Sequence, residues 1–212
     1  MDYLETLCSS AKKASRFLRR ASTLDKSRAL VRIADELRNN AEKICAENDK
    51  DVISARENGM REVMIDRLKL TPERINSIAS AVEEVIALDD PIGRITDMKT
   101  RPNGLKIGKK TVALGVIGVI YESRPNVTVD TAVLCLKSSN AVILRGGSDA
   151  YNSNKILSDI MRNALSDEGF DPNCICFMDD TSRETVTEFM KMDKYVDVLI
   201  PRGGAGLINT VV

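Results

Sequence analysis

The sequence of 212 residues contains no histidine, the commonest general base and the commonest metal ligand in proteins. It also carries no excess of either charge, because lysine plus arginine and aspartate plus glutamate each number 31. Without a basic bias, or a stripe of basic and aromatic residues, no nucleic-acid partner is expected. Without histidine the scattered cysteines make a poor metal site, so no metal is expected.

Long apolar segments are missing as well. The amino-terminal segment has no apolar stretch of signal-peptide length. The longest apolar run, 112–121, is too short to cross a bilayer and is interrupted by glycines. We therefore expect a cytoplasmic protein without a membrane partner.

The cysteines are scattered and odd in number, which favours reduced thiols over a disulfide framework. Cys135 falls among apolar residues of a predicted helix. Cys174 and Cys176 lie two apart on a predicted strand, so both are expected to face the same side of a sheet. For all three residues the pattern favours core packing over a nucleophilic or zinc-binding role.

The first ninety or so residues have the apolar spacing of helices. We predict one helix near the start, a second from about residue 23 to about residue 47, and a shorter helical piece to residue 57. A further helix is predicted to begin with Thr71 as its N-cap and Pro72 at its first helical position. It is expected to end before the Asp-Asp-Pro sequence at 89–91.

Residues 95–111 change character and predict a polar β-hairpin with Asn103–Gly104 at its turn. Such a ribbon cannot form a core by itself. Two interpretations remain open: an arm that reaches another subunit, or a solvated edge.

Beyond residue 111 the pattern alternates between strand and helix. The predicted strands are 112–121, 141–145, 174–178 and 197–200, and the predicted helices are 126–138, 149–168, 181–191 and one from 203 onward. This alternation predicts an α/β fold, with a parallel sheet whose binding crevice lies at the carboxyl ends of the strands. We divide the chain into a helical part of a cofactor-binding domain at 1–94, the hairpin at 95–111, and a nucleotide-binding part at 112–212.

The turn after the first of these strands, ESRPN, leads into a helix. Pro125 suits its first helical position, with Ser123 as a possible N-cap. Asn126 then lies in the first turn, where its amide either stabilises a developing oxyanion or only completes the turn. Arg124 is a candidate anion contact, with a solvated surface role equally open.

Two further turns bear glycines and cations where backbone N–H groups can approach phosphate. Arg145 offers a fork of donors to a phosphate or ribose and is followed by a turn that opens a helix, although a diglycine turn alone is weak evidence. The last turn, PRGGAG, fits neither the G-x-G-x-x-G fingerprint nor a P-loop but still suits a nucleotide. The residues concerned are Arg145, Gly146, Gly147 and Ser148 in one turn, and Arg202, Gly203, Gly204 and Gly206 in the other.

Taken together, the segments GVIGVIYESRPNVTVDTAVLCLKSSNAVILRGGS and MDKYVDVLIPRGGAGLI closely resemble the γ-glutamyl phosphate reductase branch of the aldehyde dehydrogenase superfamily. The resemblance implies an aldehyde-dehydrogenase-like fold with a Rossmann-type parallel sheet, amino-terminal helices and the hairpin as an oligomerisation arm, hence a homo-oligomer. It also implies NADPH-dependent reduction of L-glutamyl 5-phosphate to glutamate 5-semialdehyde and phosphate in proline biosynthesis. In that chemistry a cysteine thiolate forms a thioester, which hydride then reduces.

The resemblance also assigns roles to single residues. Asn126 matches the oxyanion-hole asparagine, and both glycine turns, with Arg145 and Arg202, match cofactor contacts. The preference for NADPH over NADH is attributed to Arg145 by the same analogy.

The nucleophilic cysteine of the family lies in a Gly-x-Cys-His-type segment beyond the PRGGAGL turn, and none of the five cysteines matches it. We therefore expect the amino-terminal, cofactor-binding half of such an enzyme, truncated before its catalytic domain and inactive alone. The alternatives are a non-catalytic nucleotide-binding module or another aldehyde dehydrogenase. A purely helical interaction protein would leave the glycine turns without a purpose.

Overall fold

The computed structural model describes residues 3–122, 124–204 and 208. Its helices are α1 Tyr3–Leu18, α2 Thr23–Asn39, α3 Ala41–Glu57, α4 Glu62–Leu68, α5 Pro72–Ala87, α6 Asn126–Lys137, α7 Tyr151–Asp167 and α8 Arg183–Phe189. Its strands are β1 Ile95–Thr100, β2 Lys106–Lys110, β3 Val116–Tyr121, β4 Ala141–Arg145, β5 Ile175–Phe177 and β6 Val198–Arg202.

The amino-terminal helices differ from the prediction at two places. The helix expected to continue to residue 47 is broken at Asn40, which separates α2 from α3. The Asn40 side chain donates to the Glu36 carbonyl at 2.8 Å, the kind of local bond with which asparagine competes against a continuing helix. The short α4 was not predicted, and its buried residues Ile65 and Leu68 anchor it although its seven residues are too few to show a period.

The predicted start of α5 is confirmed. The Thr71 hydroxyl accepts a hydrogen bond from the Arg74 N–H at 3.3 Å, and Pro72 occupies the first turn. Its missing N–H costs nothing there, because that group has no partner within a helix.

The main sheet has the strand order β5-β4-β3-β6, and all of its pairs are parallel. The chain therefore runs outward from β3 to β5 and then returns to the other side of β3. The winding of the sheet therefore reverses between β3 and β6, which is where doubly wound folds form a crevice at the carboxyl ends of the strands. The strand predicted from residue 112 begins only at Val116, and Val112 and Leu114 are exposed.

Helices cover both faces of this sheet. Alternate residues of β3 enter different cores: Ile117, Val119 and Tyr121 lie in the larger one, and Val116 and Ile120 lie in the smaller one. Helices α2, α5, α6 and α7 complete the larger core, and the first part of α1 completes the smaller one together with α8. The α/β prediction is confirmed, with three layers held by apolar burial on both sides.

The predicted hairpin is present as the antiparallel pair β1–β2, in which Ile95 pairs with Lys110. All residues of both strands are exposed. Gly104 has φ +83° at the turn, a conformation that favours glycine. What the ribbon contacts stays a prediction, as do the domain boundaries.

One expectation about the cysteines is wrong. Cys174 closes a short 3₁₀ turn before β5, whereas Cys176 lies within the strand. The alternation of a strand therefore does not relate them, and they belong to the larger and the smaller core respectively. Both are fully buried, as predicted.

Candidate functional site

The turns singled out in the sequence gather at one edge of the sheet. Strands β3, β4 and β6 are parallel and in register, with Ile120 opposite Arg145 and Tyr121 opposite Arg202. Their carboxyl ends therefore meet at the same edge, which we call the carboxyl edge. It lies at the point where the winding of the sheet reverses.

The turn after β6 is in contact with a carboxylate of the same chain, that of Glu122. The Gly204 N–H donates to Glu122 Oε1 at 3.1 Å. A Cβ on Gly203 would lie 2.5 Å from the Glu122 carboxyl carbon, so only glycine allows this approach. Glu122 was missed by the sequence argument, although it directly follows β3. Gly206 lies outside the described residues.

The contact between Gly204 and Glu122 indicates that this turn suits a phosphate group. The Gly204 N–H points at a carboxylate oxygen, which has the charge and acceptor geometry of a phosphate oxygen. Arg202 is exposed beside it. The donor set therefore fits a phosphate group, provided that the Glu122 side chain moves aside.

Arg145 at the end of β4 is half-buried and held by the protein. Its Nη2 donates to the Thr181 carbonyl, while its buried Nε has no partner among the described residues. Burial lowers the pKa of the guanidinium, and the nearby Asp180 carboxylate acts in the opposite direction. The side chain is thus fixed, with one donor left unused.

Gly146 is explained by packing. A Cβ at this position would lie 2.2 Å from Asn154 Nδ2 and 3.2 Å from the Tyr121 ring. Tyr121, Thr128 and Asn154 form a buried chain, with Tyr121 Oη 2.6 Å from Thr128 Oγ1 and Thr128 donating to Asn154 Oδ1 at 2.8 Å. The Asn154 Nδ2 has no partner among the described residues.

The helix predicted after this diglycine turn begins differently from expectation. Residues 148–150 form a 3₁₀ turn with an exposed Ser148, and the α-helix starts at Tyr151. The Asp51 carboxylate reaches from α3 and accepts the Ser153 N–H at 2.8 Å. This carboxylate caps α7 where the sequence offers no local cap.

The predicted start of the helix after β3 is confirmed at Asn126. Pro125 is its N-cap in a helical conformation instead of its first helical residue. The Val127 N–H bonds to the Arg124 carbonyl, which tightens the entry into the helix. Ser123 lies outside the described residues. Asn126 Nδ2 donates to Asp130 Oδ2 at 3.1 Å, so one of its two N–H groups is engaged.

Arg124, Pro125 and Asn126 form one wall of a cavity of about 330 Å³. The opposite wall comes from the end of α4, the following connection and the start of α5. Its residues are Asp66, Arg67, Lys69, Leu70, Arg74, Ser77 and Ile78. Arg124 and Asn126 were predicted from the sequence, whereas no sequence pattern indicated the cations on the opposite wall.

The cysteines lack the character of an activated nucleophile. Burial raises the pKa of Cys8 to about 11 and that of Cys135, Cys174 and Cys176 to about 12 each. Burial is also the largest cause that raises the pKa of Cys45. A nucleophilic thiol needs its pKa lowered by a cation or a base, and all five are shifted the other way.

The described part of the chain contains no group of three or more side chains suited to hold a metal ion. None of its helices has the length and apolar character needed to cross a bilayer.

Comparison with known proteins gives a consistent result. The γ-glutamyl phosphate reductase of Lachnospira eligens is 52% identical over all 212 residues, and that of Clostridium perfringens strain SM101 is 55% identical over 202 residues, 95% of the chain. These matches span 51% and 49% of the two relatives, so the chain covers about half of their length. No family model matches the chain.

Solved structures agree. The γ-glutamyl phosphate reductase of Thermotoga maritima superposes with a TM-score of 0.97 at 42% identity, over 99% of this chain and 51% of its own. An engineered glycolyl-CoA reductase with bound NADP⁺ matches in fold with a TM-score of 0.72 at 20% identity, over 100% of this chain and 44% of its own. A probable aldehyde dehydrogenase of Listeria monocytogenes also shares the fold, with a TM-score of 0.74 at 16% identity over 98% of this chain and 43% of its own.

Proposed function

We propose that this chain, which has the sequence and fold of the amino-terminal half of the γ-glutamyl phosphate reductases, binds NADPH and serves the reduction of L-glutamyl 5-phosphate. The product would be L-glutamate 5-semialdehyde, in cytoplasmic proline biosynthesis. The observation that carries the proposal is the 52% identity with a protein of that name across all 212 residues.

The carboxyl edge is the proposed nucleotide site. The Gly203–Gly204 turn, with Gly206 and Arg202, would receive the pyrophosphate, because its N–H already binds a carboxylate. On the β4 side, Gly147 and Ser148 follow Arg145 in the chain, and the Arg145 guanidinium would contact the ribose 2′-phosphate that distinguishes NADPH from NADH. Gly146 would support the site through its packing against Asn154.

Asn126 is the proposed oxyanion-hole residue, and Arg124 a proposed substrate contact. The second N–H of the Asn126 amide would stabilise negative charge on the substrate carbonyl oxygen, while Asp130 orients the amide. A cysteine thiolate would attack the acyl carbon and release phosphate to form a thioester, and NADPH, when bound, would supply the hydride for its reduction to the aldehyde with release of the thiolate. None of the five buried cysteines is proposed as this nucleophile.

The exposed β1–β2 ribbon is the proposed contact between copies of the complete enzyme. Apolar side chains on it, including Ile95 at 58% and Met98 at 55% exposure, support that role. A ribbon that only faces solvent is expected to carry fewer exposed apolar side chains.

Titration of NADPH into the 212-residue chain, followed by nucleotide fluorescence, tests the proposal. We expect saturable binding that is tighter than that of NADH and is weakened about tenfold by Arg145→Ala, because a charge-assisted contact to the 2′-phosphate is lost. Arg145→Lys keeps the charge and is expected to lose less. Circular dichroism verifies that each variant is folded.

Two results would count against the proposal. A folded chain that binds neither nucleotide would contradict the cofactor assignment. Equal affinity for NADPH and NADH, unchanged by Arg145→Ala, would favour a different nucleotide-binding module over this reductase.

A further inference from the structure

We infer that the cavity between the α4–α5 connection and the start of α6 is an anion site, which holds a carboxylate or phosphate group of a small acidic substrate. The inference rests on the proposed function only for the identity of that substrate. The site itself is argued from the charges and the packing around the cavity.

The lining is strongly cationic. Four cations, Arg67, Lys69, Arg74 and Arg124, face a single carboxylate, that of Asp66. Asp66 is paired with Arg74 at 2.8 Å. The other three cations form no ion pair within the described part of the chain, so positive charge from two separate walls is left to act on the cavity. Such a concave site attracts and holds anions.

The wall that carries Lys69 is rigid. The buried Asn48 side chain donates to the Leu68 carbonyl at 2.9 Å and accepts the Leu70 N–H at 2.7 Å, which fixes the backbone on both sides of Lys69. Arg74 donates to the Lys69 carbonyl at 2.8 Å from the start of α5. A fixed backbone lowers the cost of ordering a ligand in the cavity.

The position of Asn126 relates the anion site to the proposed reaction. Asn126 lines the same cavity as Lys69 and Arg124, and it begins the helix that follows β3. An acidic substrate anchored by the cations would therefore lie beside the amide proposed to receive the oxyanion. The anchored group is either the phosphate or the carboxylate at the amino-acid end of the substrate.

Nuclear magnetic resonance of the ¹⁵N-labelled 212-residue chain tests the inference, with inorganic phosphate and L-glutamate titrated separately. At least one probe is expected to shift the amides of residues 67–74 and 124–126 saturably, and which probe does so identifies the anchored group. Arg67→Gln and Lys69→Gln are each expected to weaken that binding about threefold to tenfold, because each removes one charge. Lys13→Gln, which removes an exposed charge on α1, is the matched control and should have no effect.

Shifts confined to Gly203 and Gly204, or equal binding by all variants, would overturn the anion site. NADPH titration of the same samples separates the two proposals. Absence of anion binding by the unsubstituted chain, with NADPH affinity intact, would refute this inference alone, and the reverse would refute the cofactor assignment alone.

Discussion

The two edges of the parallel sheet use the same interaction in opposite ways. The edge at which the parallel strands begin is here called the amino edge. There the Asp197 carboxylate accepts the Val116 N–H at 2.8 Å and is paired with Lys12 at 2.7 Å. At the carboxyl edge the Glu122 carboxylate accepts the Gly204 N–H at 3.1 Å, and the structure gives it no cation within the described residues. Both residues are exposed, but one carboxylate is neutralised by a lysine whereas the other has no cation partner among the described residues.

The contact at the amino edge is therefore structural, whereas the contact at the carboxyl edge is one that a ligand can displace. At the same edge, Asn140 Oδ1 accepts the Gly115 N–H at 2.8 Å. The N–H groups of Gly115 and Val116 at the start of β3 therefore both have partners. The carboxyl edge instead leaves Arg145 Nε and Asn154 Nδ2 without partners among the described residues. Buried donors without a partner are uncommon in folded proteins, and an ordered water or ion often satisfies them.

The largest expected effect comes from breaking the amino edge with Gly115→Ala. Gly115 has φ +134°, and a Cβ there would lie 2.1 Å from Asp197 Oδ2, which Lys12 and Val116 hold in place. We expect a loss of about 3 kcal/mol in the free energy of unfolding, from backbone strain and displacement of the carboxylate. Urea denaturation measures it.

Gly59→Ala is the matched control for that variant. Gly59 also has a positive φ, +70°, but a Cβ added to it would meet no atom of the described residues within 4 Å. Its cost should be about 1 kcal/mol, from strain alone. Equal losses for the two variants would mean that the Asp197 contact adds nothing.

A smaller loss is expected when the cation is removed by Lys12→Gln. Lys12 and Asp197 are partly exposed, so solvent screens the pair and the loss at pH 7 should be only about 0.5–1 kcal/mol. Burial acts to raise the pKa of Asp197, but hydrogen bonds from Lys12 and the Val116 N–H outweigh it, and the pKa lies below its usual range. Lys13→Gln is the control, one residue along the same helix.

The pH dependence of that difference follows from the lowered pKa. The stabilisation is fully present above the unfolded pKa of about 3.9, and it disappears as the pH falls through the folded value. Urea denaturation of both proteins from pH 7 to below pH 4 should therefore show curves that converge in acid. A difference independent of pH would assign the effect to the lysine stem and not to the ion pair.

The smallest effect on stability is expected at the carboxyl edge, from Glu122→Gln. The free energy of unfolding should change by less than about 0.5 kcal/mol, because the side chain is exposed. NADPH affinity should rise about threefold, since a neutral amide oxygen competes less strongly for the Gly204 N–H and does not repel phosphate. Glu57→Gln controls for the change in net charge. Weaker binding by Glu122→Gln would instead make Glu122 a ligand contact.

The strands of the parallel sheet were predictable from sequence because each is a short apolar run that ends in a turn. The gathering of Arg124, Arg145 and Arg202 at one edge followed from the parallel arrangement. The start of α5 was also predictable, since Thr71 and Pro72 act locally.

Contacts between distant segments carry no such local signal. The break at Asn40 depends on a side-chain bond that competes with an otherwise good helical pattern. The role of Glu122 depends on a turn 82 residues away, and the cation cavity depends on α4 packing beside the start of α6. These features require the fold before they can be seen.

The central claim is that the carboxyl edge binds the nucleotide while the amino edge only holds the sheet. The most direct measurement is the map of ¹⁵N amide shifts that NADPH induces in the 212-residue chain. The account predicts saturable shifts at Gly146–Ser148 and at Gly203–Gly204, with Gly115, Val116 and Asn140 unchanged. Shifts centred on the amino edge, or none in a folded chain at millimolar NADPH, would contradict it.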